Sequence, residues 1–275
     1  MQLTEFTIKS QDQTNIYACK WCPDVQSRGV ILLVHGLGEH IGRYHHVIDK
    51  FINAGYVVVG FDHPGHGKSG GKRGYIRSFD DYLTIIDQLI TDIKSVYSGL
   101  PLFIYGHSLG GEIVLYYCLK RNPDLKGAIV TSPVVGVGDQ SKSKVTLVKL
   151  IAKLVPKMVI ENDLELDALS RDPEVVQKYK DDPLVHPKVG VTLGLGMIEA
   201  GNYILANGAK FPNQLLLLQG ADDRIVSVDA TRQFANLGST NVSYIEWKGG
   251  YHELHNEPDK GSVLNTILNW ISERS

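Results

Sequence analysis

One serine in this chain lies in a pattern that is typical of a catalytic nucleophile. Residues 106–110 read Gly-His-Ser-Leu-Gly, the G-x-S-x-G pattern, with Ser108 at the centre. An apolar run precedes this segment and a helical pattern follows it, which is the context of a sharp strand-to-helix turn that exposes a serine hydroxyl. The flanking glycines fit such a turn because side chains there would collide with nearby backbone. The pattern predicts a nucleophilic Ser108; the alternative is a glycine-rich turn with an incidental serine.

A serine nucleophile needs a base to take its proton and an acid to orient that base. His252 is the predicted base because it follows the last apolar strand run, in a loop with two glycines. His255, three residues later, is the alternative base. The acid is expected after a run of four leucines, where Asp222 and Asp223 are adjacent. Spacing alone does not choose between the two aspartates.

The loop after the first apolar run is a second part of the predicted site. It reads His-Gly-Leu-Gly-Glu at residues 35–39. An oxyanion needs two preorganised N–H donors, and the backbone amides of Leu37 and Leu109 are in position to supply them. A purely structural turn is the alternative.

A third pattern, at residues 62–69, ends like a phosphate-binding loop but is discounted. Asp62 replaces the first glycine that such a loop requires, and Pro64 lacks an N–H that would contact phosphate. Nothing in the sequence supplies the clustered ligands of a zinc site. We therefore expect no metal and no cofactor.

Alternating apolar and helical segments are expected to position these residues. Because continuous apolar runs indicate strands that are buried on both faces, the pattern predicts an α/β fold with a mostly parallel central sheet and helices on both faces. Two polar-alternating strands, near residues 3–9 and 14–21, are expected at one edge. Ligands then bind at the carboxyl ends of the strands. The apolar runs lie at residues 30–34, 57–61, 102–105, 128–130, 215–219 and 242–245.

Residues 134–208 interrupt the alternation of strands and helices and contain no apolar strand run. We predict an α/β core formed by residues 1–133 and 209–275, with residues 134–208 inserted as a cap. One cap helix is expected to be amphipathic, and it either lies at a lipid surface or packs its apolar face on the core. His186, also in the cap, is expected to be a packing or surface residue. The apolar stripe of that helix is Leu147, Leu150, Ile151, Leu154 and Met158, and its basic stripe is Lys149, Lys153 and Lys157.

Composition and cysteine content bear on disorder, nucleic-acid binding, redox function and cellular location. The 275 residues are 43% hydrophobic with a formal net charge of −2, which argues against disorder and against nucleic-acid binding by overall charge. Cys19 and Cys22 form a C-x-x-C in a predicted strand, where residues three apart face opposite sides, so a redox role is not expected. Three cysteines and no apolar leader favour a reducing, cytoplasmic location. Oligomeric state cannot be read from the sequence.

Taken together, the motifs resemble those of the monoacylglycerol lipases and their lysophospholipase-like relatives in the α/β-hydrolase superfamily. The resemblance covers nearly the whole chain. It rests on HGLGEHIGRY (35–44), FDHPGHGKSGG (61–71), YGHSLGG (105–111), LSR (169–171), DPL (182–184), LLLQGADDR (within 215–224) and GGYHELH (249–255).

The resemblance implies an α/β-hydrolase fold and a serine esterase with Ser108 as nucleophile and His252 as base. It also implies that the acid is Asp223, which precedes the arginine of the family's G-x-x-D-R segment. Contacts to a glycerol head group are implied for Glu39, Arg43 and His255. The alternative for Arg43 is that it pairs with Glu39 or simply begins the next helix.

The expected reaction is hydrolysis of monoacylglycerols to fatty acid and glycerol through an acyl-enzyme, with peripheral membrane contact through the cap as a further expectation. A lysophospholipase or a broad carboxylesterase is the alternative within enzymes. A non-catalytic lipid-binding protein of the same fold is the alternative from another class.

Overall fold

A computed structural model describes residues 1–136, 142–237 and 240–275, with backbone alone for residues 142–145 and for Leu147. These ranges contain ten strands and eight α-helices. The strands are Gln2–Lys9 (β1), Asn15–Cys22 (β2), Gly29–Val34 (β3), Tyr56–Phe61 (β4), Leu102–His107 (β5), Gly127–Thr131 (β6), Val159–Glu161 (β7), Lys188–Gly190 (β8), Leu215–Gly220 (β9) and Val242–Trp247 (β10). The helices are His45–Asn53 (α1), Asp80–Val96 (α2), Leu109–Arg121 (α3), Lys142–Leu154 (α4), Pro173–Asp181 (α5), Val191–Asn207 (α6), Val228–Ala235 (α7) and Lys260–Ser272 (α8).

Eight strands form one sheet in the order β1-β2-β4-β3-β5-β6-β9-β10. β1 pairs antiparallel with β2, and β2 pairs antiparallel with β4, whereas all other neighbours in this sheet are parallel. The predicted parallel sheet with a hairpin at one edge is confirmed. Because the parallel strands run the same way, the loops after β3, β5, β9 and β10 emerge at one end of the sheet.

Helices cover both faces of the sheet, which is why the interior strands are apolar throughout. Every residue of β3, β4, β5 and β9 is buried. Apolar side chains of α2, α3, α6 and α7 pack in one cluster with one face of the sheet. Those of α1 and α8 pack in a second cluster with the other face. The result is the three-layer arrangement expected for a parallel sheet.

The segment between β6 and β9 contains α4, α5, α6 and a small ribbon in which β7 pairs antiparallel with β8. The sequence contains no apolar strand run here, so it did not reveal this ribbon. Each ribbon strand has only three residues, too few for an apolar or alternating run to stand out. The segment is not separate from the core, because Leu193, Ala200 and Ile204 of α6 join the cluster formed by α2 and α3. The boundaries at 134 and 208 stay a prediction.

The expected amphipathic helix corresponds to α4, which ends at Leu154, two residues before Pro156. Met158 therefore lies beyond the helix, and the side chain of Leu147 lies outside the described part of the chain. None of the helices in the described ranges is long and apolar enough to span a bilayer. All three cysteines are free, and Cys19 and Cys22 contact different tyrosines.

Candidate active site

Ser108 lies on a strained turn between the end of β5 and the start of α3. Its backbone has φ 53° and ψ −119°, a conformation that L-residues rarely adopt. A Cβ on Gly106 would lie 2.4 Å from the carbonyl oxygen of Gly110, and one on Gly110 would lie 2.1 Å from that of Val34. The two glycines of the motif are therefore required by close backbone contacts, as the sequence predicted.

His252 lies close to Asp223 and not to Asp222. The distance between His252 Nδ1 and Asp223 Oδ2 is 2.8 Å, and both side chains are buried. Because an ionised carboxylate only accepts hydrogen bonds, Nδ1 carries the hydrogen and Nε2 keeps its lone pair. The exposed Asp222 lies on the outer side of the same loop.

Four hydrogen bonds hold the Asp223 carboxylate. Oδ1 accepts from the backbone amides of Ile225 at 2.8 Å and Val226 at 3.1 Å. Oδ2 accepts from His252 and, at 2.9 Å, from Gln219 Nε2. Burial opposes ionisation of Asp223, but the interaction with His252 and these amides outweighs it and holds the pKa of the carboxyl below its usual value. Asp223 is thus a fixed negative charge behind His252.

The pKa of His252 is raised above its ordinary value of 6.5. Burial alone would lower it, but the charge of Asp223 and the hydrogen bond from Nδ1 favour the imidazolium form. The loop that carries His252 is held in place because its carbonyl oxygen accepts a hydrogen bond from Ser132 Oγ at 2.7 Å. These contacts suit a base that becomes positively charged during a reaction.

Ser108 and His252 line one cavity of about 540 Å³ at the carboxyl ends of the strands. Among the described residues, the Ser108 hydroxyl makes no hydrogen bond to His252 or to any other group. In ligand-free enzymes the contact between nucleophile and base is often long, and it tightens when substrate binds.

Leu37 also lines the cavity, and Leu109 is the first residue of α3, where an amide has no partner within the helix. The described residues that line the cavity are Gly36, Leu37, Glu39, His107, Ser108, Val134, Gly136, Asn162, Leu164, Leu169, Tyr179, Met197, Ile225, Val226, Ser227, His252 and Glu253.

The three residues expected to contact a head group have different positions. Glu39 lines the cavity, but Arg43 and His255 are not among the lining residues. Both ring nitrogens of His255 lack a hydrogen-bond partner in the described structure, and its ring stacks on Tyr44 at a centroid distance of 4.8 Å. Burial lowers the pKa of His255 well below its usual value. As a base, His255 has neither the carboxylate contact nor the access to the cavity that His252 has.

Arg43 is the centre of an ion-pair network; its pairing with Glu39 was an alternative from the sequence, whereas its pairing with Glu253 was missed. Its guanidinium donates to both carboxylate oxygens of Glu253, at 2.7 and 2.8 Å, and also to Glu39. The guanidinium carbon lies 4.6 Å from the ring centroid of Tyr179, in α5. Glu253 directly follows His252, which was the one signal that could have drawn attention to it.

Other residues at the strand ends have structural partners. The two carboxylate oxygens of Asp62 accept from the amides of Ile41 and Lys68, at 2.8 and 2.7 Å. His186 Nε2 donates to the carbonyl oxygen of Gly65 at 3.0 Å, so this histidine is a packing residue, as expected. Within the described ranges, no group of three or more His, Cys, Asp or Glu side chains is arranged to hold a metal ion.

Comparison with known proteins identifies the family of this chain. The family model Hydrolase_4, described as serine aminopeptidase S33, matches residues 25–259. The chain is 37% identical over 254 residues to a monoacylglycerol lipase of Mycolicibacterium smegmatis, covering 91% of this chain and 90% of that protein. It is 33% identical over 241 residues to phospholipase YtpA of Bacillus subtilis, covering 86% of this chain and 92% of that protein.

A solved structure supports the same family and fold. The crystal structure of a monoacylglycerol lipase from Paleococcus ferrophilus superposes with a TM-score of 0.87 at 33% identity, covering 94% of this chain and 99% of that one. The protein is a carboxylic ester hydrolase of the lipase and esterase type. The chain belongs to the monoacylglycerol lipase family of the α/β-hydrolase superfamily.

Proposed function

We propose that this enzyme hydrolyses the ester bond of monoacylglycerols, releasing a fatty acid and glycerol through an acyl-enzyme on Ser108. The observation that carries the proposal is the cavity in which Ser108, on its strained turn, faces the same space as a His252 that is fixed by Asp223. The match to monoacylglycerol lipases over most of the chain supports the choice of substrate.

In the first half of the proposed reaction, His252 Nε2 takes the hydroxyl proton of Ser108, and the serine oxygen attacks the ester carbonyl. The carbonyl oxygen becomes negatively charged and accepts hydrogen bonds from the amides of Leu37 and Leu109. His252 then gives the proton to the leaving glycerol oxygen. In the second half, water attacks the acyl-enzyme by the same route and releases the fatty acid.

The lining of the cavity suits an acyl chain at one part and a glycerol head group at another. Seven apolar side chains offer the surface that a fatty acyl chain needs, and polar side chains that include Glu39, Glu253 and Tyr179 are available to the glycerol hydroxyls. Arg43 and His255, which lie behind the cavity wall, act on the head group only through Glu39, Glu253 and packing. The apolar lining residues are Leu37, Val134, Leu164, Leu169, Met197, Ile225 and Val226.

The deciding experiment is the ratio of kcat/KM for a monoacylglycerol and a lysophosphatidylcholine with the same acyl chain, with Ser108→Ala as the blank. Strong preference for the glycerol ester supports the proposal. An equal or reversed ratio would leave a lysophospholipase or a broad esterase, the second candidate, which the match to phospholipase YtpA favours. Failure of a fluorophosphonate to label Ser108 would favour the non-catalytic lipid-binding alternative.

The cap segment has the exposed apolar surface that peripheral membrane contact would require. Leu150, Leu154 and Met158 are 52%, 70% and 44% exposed. Such a surface beside lysines binds lipid interfaces, where the substrate is dissolved. Liposomes should therefore sediment the protein at low salt. Leu154→Asp should weaken this sedimentation. Val96→Asp, at a similarly exposed site on α2, should not weaken it. Equal sedimentation of the two variants would contradict the role of the cap.

A further inference from the structure

The charged side chains on the cavity wall are acidic. Glu39 and Glu253 both line the cavity, and neither Lys nor Arg is found among its described lining residues. Both glutamates are buried, each with 2% of its surface exposed. An anionic group in this cavity would therefore meet carboxylates and no free cation on the described wall.

Arg43, the cation that pairs with these carboxylates, directs three of its five N–H groups at them. It forms a two-pronged ion pair with Glu253 and donates in addition to Glu39. Its flat face lies against Tyr179, and 9% of the side chain is exposed. Arginine and lysine are the side chains that neutralise a bound phosphate. Because Arg43 does not line the cavity and is held by Glu253, it could pair with a phosphate there only by moving away from Glu253.

The net charge of this network is not positive as long as Glu253 is ionised. Two carboxylates and one guanidinium sum to −1 when both acids are ionised, and to zero when one of them is protonated. Burial raises the pKa of Glu39, so of the two acids Glu39 is the one that takes up a proton more readily. Burial acts in the same direction on Glu253, but the charge of Arg43 outweighs it and lowers the pKa of Glu253 to about 2. Glu253 therefore stays ionised at neutral pH.

We propose that Glu253 is a specificity residue that makes the enzyme select uncharged glycerol monoesters and reject the same esters when the glycerol carries a phosphate. This inference rests on the proposed function and deepens it. Glu253 holds the guanidinium that a phosphate would need, and its own charge repels the phosphate within the cavity. Glycerol hydroxyls, in contrast, can donate hydrogen bonds to the carboxylates on the wall.

The test compares two substrates that differ in a single group: a 1-acylglycerol and its 3-phosphate with the same acyl chain, in the same mixed micelles. Glu253→Gln keeps the shape of the side chain and an oxygen that can accept from Arg43, but it removes one negative charge. Glu253→Asp keeps the charge. Glu257→Gln is the matched control, because Glu257 is a buried glutamate of the same loop that pairs with Arg171 and does not line the cavity.

The wild type should prefer the uncharged ester, and E253Q should reduce the ratio of the two kcat/KM values by about tenfold to hundredfold, the size of one charge interaction at a partly buried site. E253D and E257Q should keep the wild-type ratio. Because the readout is a ratio within each variant, a change in folded fraction cancels, and the effect of the phosphate on micelle charge is the same for every variant.

Two results would overturn the inference. A wild-type ratio near one would do so whatever the variants show, and equal reduction of the ratio by E253Q and E257Q would remove the specific role of Glu253. Both leave the proposed function intact as long as the 1-acylglycerol is hydrolysed. If the wild type does not hydrolyse the 1-acylglycerol, the proposed function fails and this inference fails with it.

Discussion

Replacement of Asp223 by Asn, compared with the same replacement at Asp222, is the sharpest test of the proposed catalytic machinery. The two residues are neighbours, and both changes remove one negative charge from one loop. Asp223 accepts from His252 Nδ1, whereas Asp222 is exposed. A general effect of loop charge would therefore act on both variants, and an effect on His252 only on one.

The structure predicts how Asn would bind at position 223. The backbone amides of Ile225 and Val226 point at Oδ1 and cannot turn away, so they hold the amide oxygen of Asn on that side. The NH₂ group then faces His252 Nδ1 and makes that nitrogen an acceptor. The hydrogen moves to Nε2, which can no longer take a proton from Ser108.

A wrong tautomer of this kind costs about 10³- to 10⁴-fold in kcat, or roughly 4–5.5 kcal/mol of transition-state stabilisation. Asp222→Asn should change kcat less than about twofold, because exposed side chains without partners have small effects. The assay is the initial rate of monoacylglycerol hydrolysis, with a thermal unfolding curve for each variant to confirm folding. Comparable losses in two folded variants, or a loss below about tenfold for Asp223→Asn, would refute the reasoning.

Three further predictions concern pH, backbone packing and the buried network. The value of kcat/KM should rise with pH through an ionisation above 6.5, because His252 must be neutral to accept a proton. Asp223 raises the pKa of His252 against the effect of burial. A rise centred below pH 6.5 would contradict this. Gly110→Ala should lower the melting temperature by roughly 5–10 °C, because the new Cβ would lie 2.1 Å from a backbone oxygen. For Gly194→Ala in α6, the new Cβ would meet no described atom within 4 Å outside its own helix turn, so the melting temperature should stay unchanged or rise slightly. Equal losses in the two variants would speak against steric strain. Arg43→Met should lower the free energy of unfolding at neutral pH by about 3–5 kcal/mol, measured by urea denaturation, because Glu253 would be buried without its cation; a loss below about 1 kcal/mol would show that the network is solvated.

Most strands and helices of the core could be predicted from local sequence patterns, because these patterns depend on residues that are close in the chain. The apolar run at residues 30–34 is long enough for a strand and has no polar face, so it indicates a strand covered on both sides. It forms β3. The nucleophile turn was equally readable, since strand, turn and helix are contiguous around Ser108. The ribbon of β7 and β8 was not, because its two strands are short and lie far apart in sequence.

Only the tertiary structure could decide questions that depend on the direction of a side chain or on a distant partner. Asp222 and Asp223 are equivalent by spacing, but the fold turns one toward solvent and the other toward His252. Arg43 and Glu253 are 210 positions apart, so no local pattern connects them. A residue's type limits its chemistry, and its place in the chain determines which strand end it follows. Which group it then faces depends on how loops from different strands pack against one another, and that is settled only in three dimensions.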